Sequence, residues 1–103
     1  MLDTNKTFEN GELLIALEGR LDTLTAPGFD AELEEMLPEV KKLVLDFKDL
    51  EYISSAGLRT ILEAQQYMED NSLPNVKVLN VNETIRETFE LTGFDAIVDV
   101  EWA

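Results

Sequence analysis

Two adjacent hydroxyls, Ser54 and Ser55, stand directly before Ala56-Gly57-Leu58-Arg59, where an extended, apolar stretch gives way to helical spacing. The first backbone N–H groups of a helix have no partners within the helix and carry the positive end of its dipole. A hydroxyl at that point therefore has three available chemistries. It can cap the helix, it can carry a phosphate that the helix terminus tolerates, or it can act as a nucleophile. Nucleophilic use needs an adjacent base, and the chain has no His. A pairing of serine with Lys48 or Lys77 is conceivable, but nothing in the spacing recommends it.

Other polar residues carry weaker chemistry. Asp22 follows a strand and reads either as a turn carboxylate or as part of a partner-facing edge shared with Ser55. Arg59 points outward from the start of its helix, free to pair with a partner, with phosphate or with solvent. Asp46 and Asp49 flank a strand end without a third ligand at metal spacing, so no metal site is expected. The groups Glu32-Glu34-Glu35 and Glu63-Glu69-Asp70 read as solvated helix faces. No Gly-rich loop with a Lys is present, so neither a nucleotide nor any other cofactor is expected.

The elements that position these residues follow from hydrophobic spacing. Lys6 to Glu9 and the run Leu13 to Leu17, joined by Asn10-Gly11, predict a hairpin. Thr25 reads as the cap of a helix with Pro27 in its first turn, Phe29, Leu33, Met36 and Leu37 on one face, and Pro38 as its stop. Leu43 to Phe47 predicts a strand covered by helices, followed by a tight connection carrying Leu50, Tyr52 and Ile53. Ala56 to about Asp70 predicts a helix with Leu58, Ile61, Leu62 and Met68 inward. Val76 to Val81 predicts a strand. Asn82 caps a third helix with Ile85 and Phe89 inward, and Gly93 ends it. Ala96 to Val100 reads as a helical turn, an edge strand, or one after the other, and Trp102 covers a sheet edge or lies on the surface. This order gives an α/β fold with helices packed on a mixed sheet of four to five strands, with residues 1–103 as one domain.

Composition narrows the partners. The 103 residues hold 22 acidic and 8 basic side chains, a formal net charge of −14, with 45% apolar residues and no Cys. Such a charge repels nucleic acid and anionic membrane surfaces, so neither is an expected partner. The absence of Cys fits a reducing cytoplasm, and the first residues lack the basic and apolar regions of a secretion signal.

Phe47 to Leu62, centred on Ser54-Ser55-Ala56-Gly57-Leu58, resembles the signature of STAS domains, in particular bacterial anti-sigma factor antagonists, in which an apolar strand leads into Asp-Ser-Ser/Thr-Gly-Leu and a helix. Gly19-Arg20-Leu21-Asp22 with Thr25-Ala26 is similar to a second segment of that family, and Leu91-Thr92-Gly93-Phe94-Asp95 to a third, all in the family's order. The resemblance implies a mixed α/β sheet fold and a non-enzymatic binding protein. It further implies a serine kinase of the GHKL type that is also the anti-sigma factor and that phosphorylates the first Ser of the signature. A metal-dependent serine phosphatase reverses that step. The acceptor falls on Ser55, with the neighbouring Ser54 as fallback. The family's preceding Asp is Ser54 here and its second Ser/Thr is Ala56, whereas Gly57 and Leu58 match. By the same resemblance the partner-facing residues are Asp22, Ser54, Ser55, Ala56, Gly57, Leu58 and Arg59, on a monomer that pairs with the kinase. Two other readings stand beside this one: a separate cytoplasmic STAS subunit regulating a membrane transporter, and a hydrolase using Ser55.

Overall fold

The computed structural model describes residues 1–103 as strands β1 (Leu2–Glu9) and β2 (Glu12–Leu21), helix α1 (Ala26–Met36), β3 (Lys42–Ile53), α2 (Ser55–Asp70), β4 (Lys77–Val81), α3 (Glu83–Thr92) and β5 (Asp99–Trp102), with single 3₁₀ turns at Leu37–Glu39 and Phe94–Ala96. The hairpin turn forms because Asn10 and Gly11 both accept positive φ, at 53° and 83°, which matches the twist of the flanking strands. The five strands lie in sequence order across one mixed sheet. β1 runs antiparallel to β2, and the remaining neighbours are parallel. Because each parallel step moves in the same direction across the sheet, crossovers of one hand place α1, α2 and α3 on the same face.

Burial along β2 records that one-sidedness. Leu13, Ile15 and Leu17 are fully buried, while the intervening Leu14 and Ala16 are only half-buried. Leu13 and Ile15 sit opposite Leu43 and Leu45 of β3, and Leu45 opposite Val78 of β4, so the inward positions form continuous apolar rows. Phe89 of α3 closes the far end of this core, with Phe47 at 6.2 Å and Phe94 at 5.1 Å between ring centroids. Trp102 on β5 packs its half-buried ring against Phe89 at 6.5 Å, covering that edge of the sheet.

Two expectations shift, and one left open is settled. β3 does not end at Phe47 but continues to Ile53, because irregular pairing near Ala16/Glu18 and Gly19/Arg20 lets β2 stay in register with Leu50, Tyr52 and Ile53. The tight connection therefore shrinks to Ser54 alone. Pro38 does not meet the end of α1 directly, since the helix ends at Met36 and Pro38 sits inside the following 3₁₀ turn. The stretch after Gly93 is a helical turn and then an edge strand. No helix is long and apolar enough to cross a membrane.

One polar residue in the core had no signal in the apolar spacing. Gln65 is buried on α2, accepts the Val76 backbone N–H at 2.7 Å and donates to Asn75 at 2.9 Å, pinning the chain that leads into β4. Gln65→Leu, which keeps the volume but removes the acceptor, is expected to lower stability by about 1–3 kcal/mol. Urea unfolding checks this as a lower midpoint at unchanged slope; an unchanged midpoint contradicts it.

Candidate functional site

Ser54 and Ser55 lie at the carboxyl ends of the parallel strands, where open α/β sheets hold their sites. Ser54 bridges β3 and α2 in extended backbone, with φ −97° and ψ 175°. Its N–H donates to the Leu21 carbonyl at 2.9 Å, tying the start of α2 to the end of β2. Its Oγ accepts from the Gly57 N–H at 3.4 Å, a long cap bond. Ser55 is the first helical residue, exposed, with its hydroxyl in no hydrogen bond to the protein.

Gly57 is demanded by packing. A Cβ there would lie 2.7 Å from Leu21 Cγ and 2.9 Å from Ile53 Cγ1, so only glycine lets α2 begin this close to the ends of β2 and β3. Leu58 turns into the core beside it, leaving Ser55 and Arg59 on the outer side of the same helix. Ser55, Ala56 and Arg59 line a cleft of about 450 Å³ with Thr23, Asp30 and Glu63. Of the partner-facing residues that the resemblance implies, those three reach the cleft. Ser54, Gly57 and Leu58 build the helix start beneath it.

Asp22 belongs to the neighbouring loop and does not line the cleft. Its Oδ1 accepts the N–H groups of Leu24 at 3.0 Å and Thr25 at 3.1 Å, a turn closed by the carboxylate itself. Partial burial opposes ionisation of Asp22, but these two N–H groups, the Thr25 hydroxyl and the chain's amino terminus outweigh it and hold the carboxyl below its ordinary range. Thr25 occupies the N-cap position of α1 without capping it. Its hydroxyl is spent in the loop, accepting the Asp22 N–H at 2.9 Å and donating to the Arg20 carbonyl at 2.8 Å. Arg20 lies over the Tyr52 ring at 4.4 Å and 3.8 Å from Asp22. Asp46 accepts from the Lys48 N–H and the Asn80 amide.

This hydrogen-bonded loop carries Leu24, which is 90% exposed next to the cleft-lining Thr23. The sequence signal for it is slight, a single apolar residue between two threonines in a turn. Exposed leucines are individually unremarkable, but one held by a closed turn beside a cleft is a ready contact point.

Gly57→Ala is expected to cost about 1–3 kcal/mol in unfolding experiments, the usual price of overpacking. Gly28→Ala, where an added Cβ meets nothing within 4 Å, is the control and is expected to stabilise the helix by about 0.5–1 kcal/mol. Asp22→Ala tests the loop through pH. Because the folded-state pKa of Asp22 is depressed, its contribution is present above the unfolded-state pKa and is lost as pH falls through the folded-state value. The melting-temperature gap between wild type and Asp22→Ala is therefore full at pH 7 and closes progressively below about pH 4. A gap that stayed constant into strong acid would contradict this.

The sequence pattern of the STAS domain family matches residues 3–102. BtrV of Bordetella bronchiseptica, named as an anti-sigma factor antagonist, is 32% identical over 92 residues, covering 88% of this chain and 78% of that protein. The fold superposes on SpoIIAA, a Bacillus cell fate determinant solved in its phosphorylated form, with a TM-score of 0.78 at 19% identity, covering 98% of this chain and 91% of the other. SpoIIAA in its unphosphorylated form, as an anti-sigma factor antagonist, gives a TM-score of 0.76 at 18% identity, covering 100% and 89%. A Thermotoga maritima protein named in the same way gives 0.86 at 18% identity, over 94% and 84%. With the family pattern spanning residues 3–102 and BtrV 32% identical over 88% of the chain, the chain belongs to the STAS domain family and is a homologue of its anti-sigma factor antagonists.

Proposed function

We propose that this protein is a cytoplasmic, monomeric anti-sigma factor antagonist that works by partner switching and has no catalytic activity of its own. Unphosphorylated, it binds a serine kinase of the GHKL type that is also the anti-sigma factor; phosphorylation of Ser55 releases it, and a metal-dependent serine phosphatase resets it. The observation that carries this reading is the inequality of the two hydroxyls. Ser54 is half-buried and occupied as a cap, whereas Ser55 is exposed on the cleft wall with its hydroxyl unengaged. A kinase reaches Ser55 without unwinding α2. Solved phosphorylated and unphosphorylated forms of the SpoIIAA fold support a switch of this kind.

In the kinase step Ser55 Oγ attacks the terminal phosphorus of ATP. The new O–P bond forms as the bond to the β-phosphate oxygen breaks, ADP leaves, and the hydroxyl proton passes to a base of the kinase. The product adds about −1.5 to −2 charges. The positive end of α2 accommodates that charge within the fold. A partner packed over the cleft must desolvate that dianion, at a cost of several kcal/mol. The docking surface combines this helix start with the Asp22 loop and its exposed Leu24. The absence of His leaves Ser55 without the usual base for nucleophilic catalysis, which supports binding over hydrolysis.

Ser55→Asp is expected to weaken binding to the cognate kinase about tenfold or more, chiefly through faster dissociation, while Ser55→Ala binds like wild type and accepts no phosphate. Surface plasmon resonance with the purified kinase measures both. Equal affinity of Ser55→Asp and wild type would defeat the switch.

A further inference from the structure

We propose that Arg59 is the intramolecular partner of the phosphate on Ser55, a built-in clamp that folds the modified serine back onto α2. This rests on the reading of Ser55 as the acceptor and adds the means by which the chain handles the charge. Of the eight basic side chains, Lys6, Arg20, Lys42, Lys77 and Arg86 are in ion pairs, leaving Lys41, Lys48 and Arg59 without one. In a chain of net charge −14 an unpaired arginine stands out, and Arg59 is the basic residue lining the cleft that Ser55 lines.

The spacing suits the task. Ser55 and Arg59 are four apart on α2, so their side chains rise from adjacent turns of one helix face. A guanidinium offers paired N–H donors that match two phosphate oxygens, and its reach exceeds one helical turn. The cleft otherwise argues against a dianion, because Asp30 of α1 and Glu63 of α2 also line it. Neither carboxylate is within ion-pair distance of Arg59, so the guanidinium is uncommitted until the phosphate arrives.

The clamp gives phosphorylation two effects at once. It adds negative charge to the docking face, and it withdraws from that face the cation that a partner's carboxylate or backbone carbonyl would meet. Release is then sharper than added charge alone would make it.

Full-length protein with phosphoserine installed at position 55 during translation, followed by ³¹P NMR across pH, tests this directly. The second ionisation of the phosphate is expected about 0.3 unit or more lower in the wild-type background than with Arg59→Gln, and Arg59→Lys is expected to fall between. The Arg59 Nε–H signal is expected to move downfield only in the phosphorylated protein. Coincident titrations for wild type and Arg59→Gln, or an Nε–H signal indifferent to phosphate, would overturn the clamp. Since the phosphate is supplied by synthesis, that failure is separate from a failure of the kinase to choose Ser55, which would strike the proposed function alone.

Discussion

The contact between Gly57 and the ends of β2 and β3 is the constraint on which the site depends. With Leu21 Cγ and Ile53 Cγ1 both inside 3 Å of where a Cβ would sit, α2 starts almost on top of the strands. Ser54 reinforces that seat by donating to the Leu21 carbonyl. The seat in turn requires β3 to run as far as Ile53 opposite Leu21, which the irregular pairing along β2 permits. Once α2 begins at that point, Leu58 must turn inward and Ser55 outward. Exposure of Ser55 is thus a consequence of core packing, not a separate design.

The same geometry divides the work between structure and switching. Interior-facing rows of Leu, Ile and Val hold the sheet to three helices on one face, and Gln65 satisfies the buried Val76 N–H at the entry to β4. The cleft carries almost none of that burden. Its walls are the first turns of α1 and α2 and a loop held by Asp22 and Thr25 through local hydrogen bonds. A charge arriving on Ser55 therefore changes the surface a partner meets without asking the core to rearrange. That is the property expected of a protein whose message is read by binding.

Much of this was legible in the sequence because local chemistry dictated it. Asn10-Gly11 specifies the hairpin, Asn82 caps α3 by accepting the Ile85 N–H at 2.9 Å, and Gly93 ends that helix at φ 73°. The helix start at Ser54-Ser55 was equally visible from the change of hydrophobic period. Features set by tertiary context were not. The length of β3 depends on strand pairing that no local pattern announces, and Thr25 looked like a cap because its hydroxyl's true partners, at Arg20 and Asp22, come from the way the loop folds back. Gln65 carried no local signal, since only the arrival of Val76 makes its amide necessary. The resemblance put the acceptor on Ser55 with Ser54 as fallback, but that Ser54 Oγ is engaged by the Gly57 N–H follows only from the folded helix start.

The central claim is that the exposed Ser55, not the capping Ser54, carries a reversible phosphate in the working protein. Intact mass and fragment mapping of the protein isolated from its own cells in two growth states tests it most directly. The account predicts a single phosphate on Ser55 whose stoichiometry differs between the states. Phosphate on Ser54, or none in either state, would contradict it.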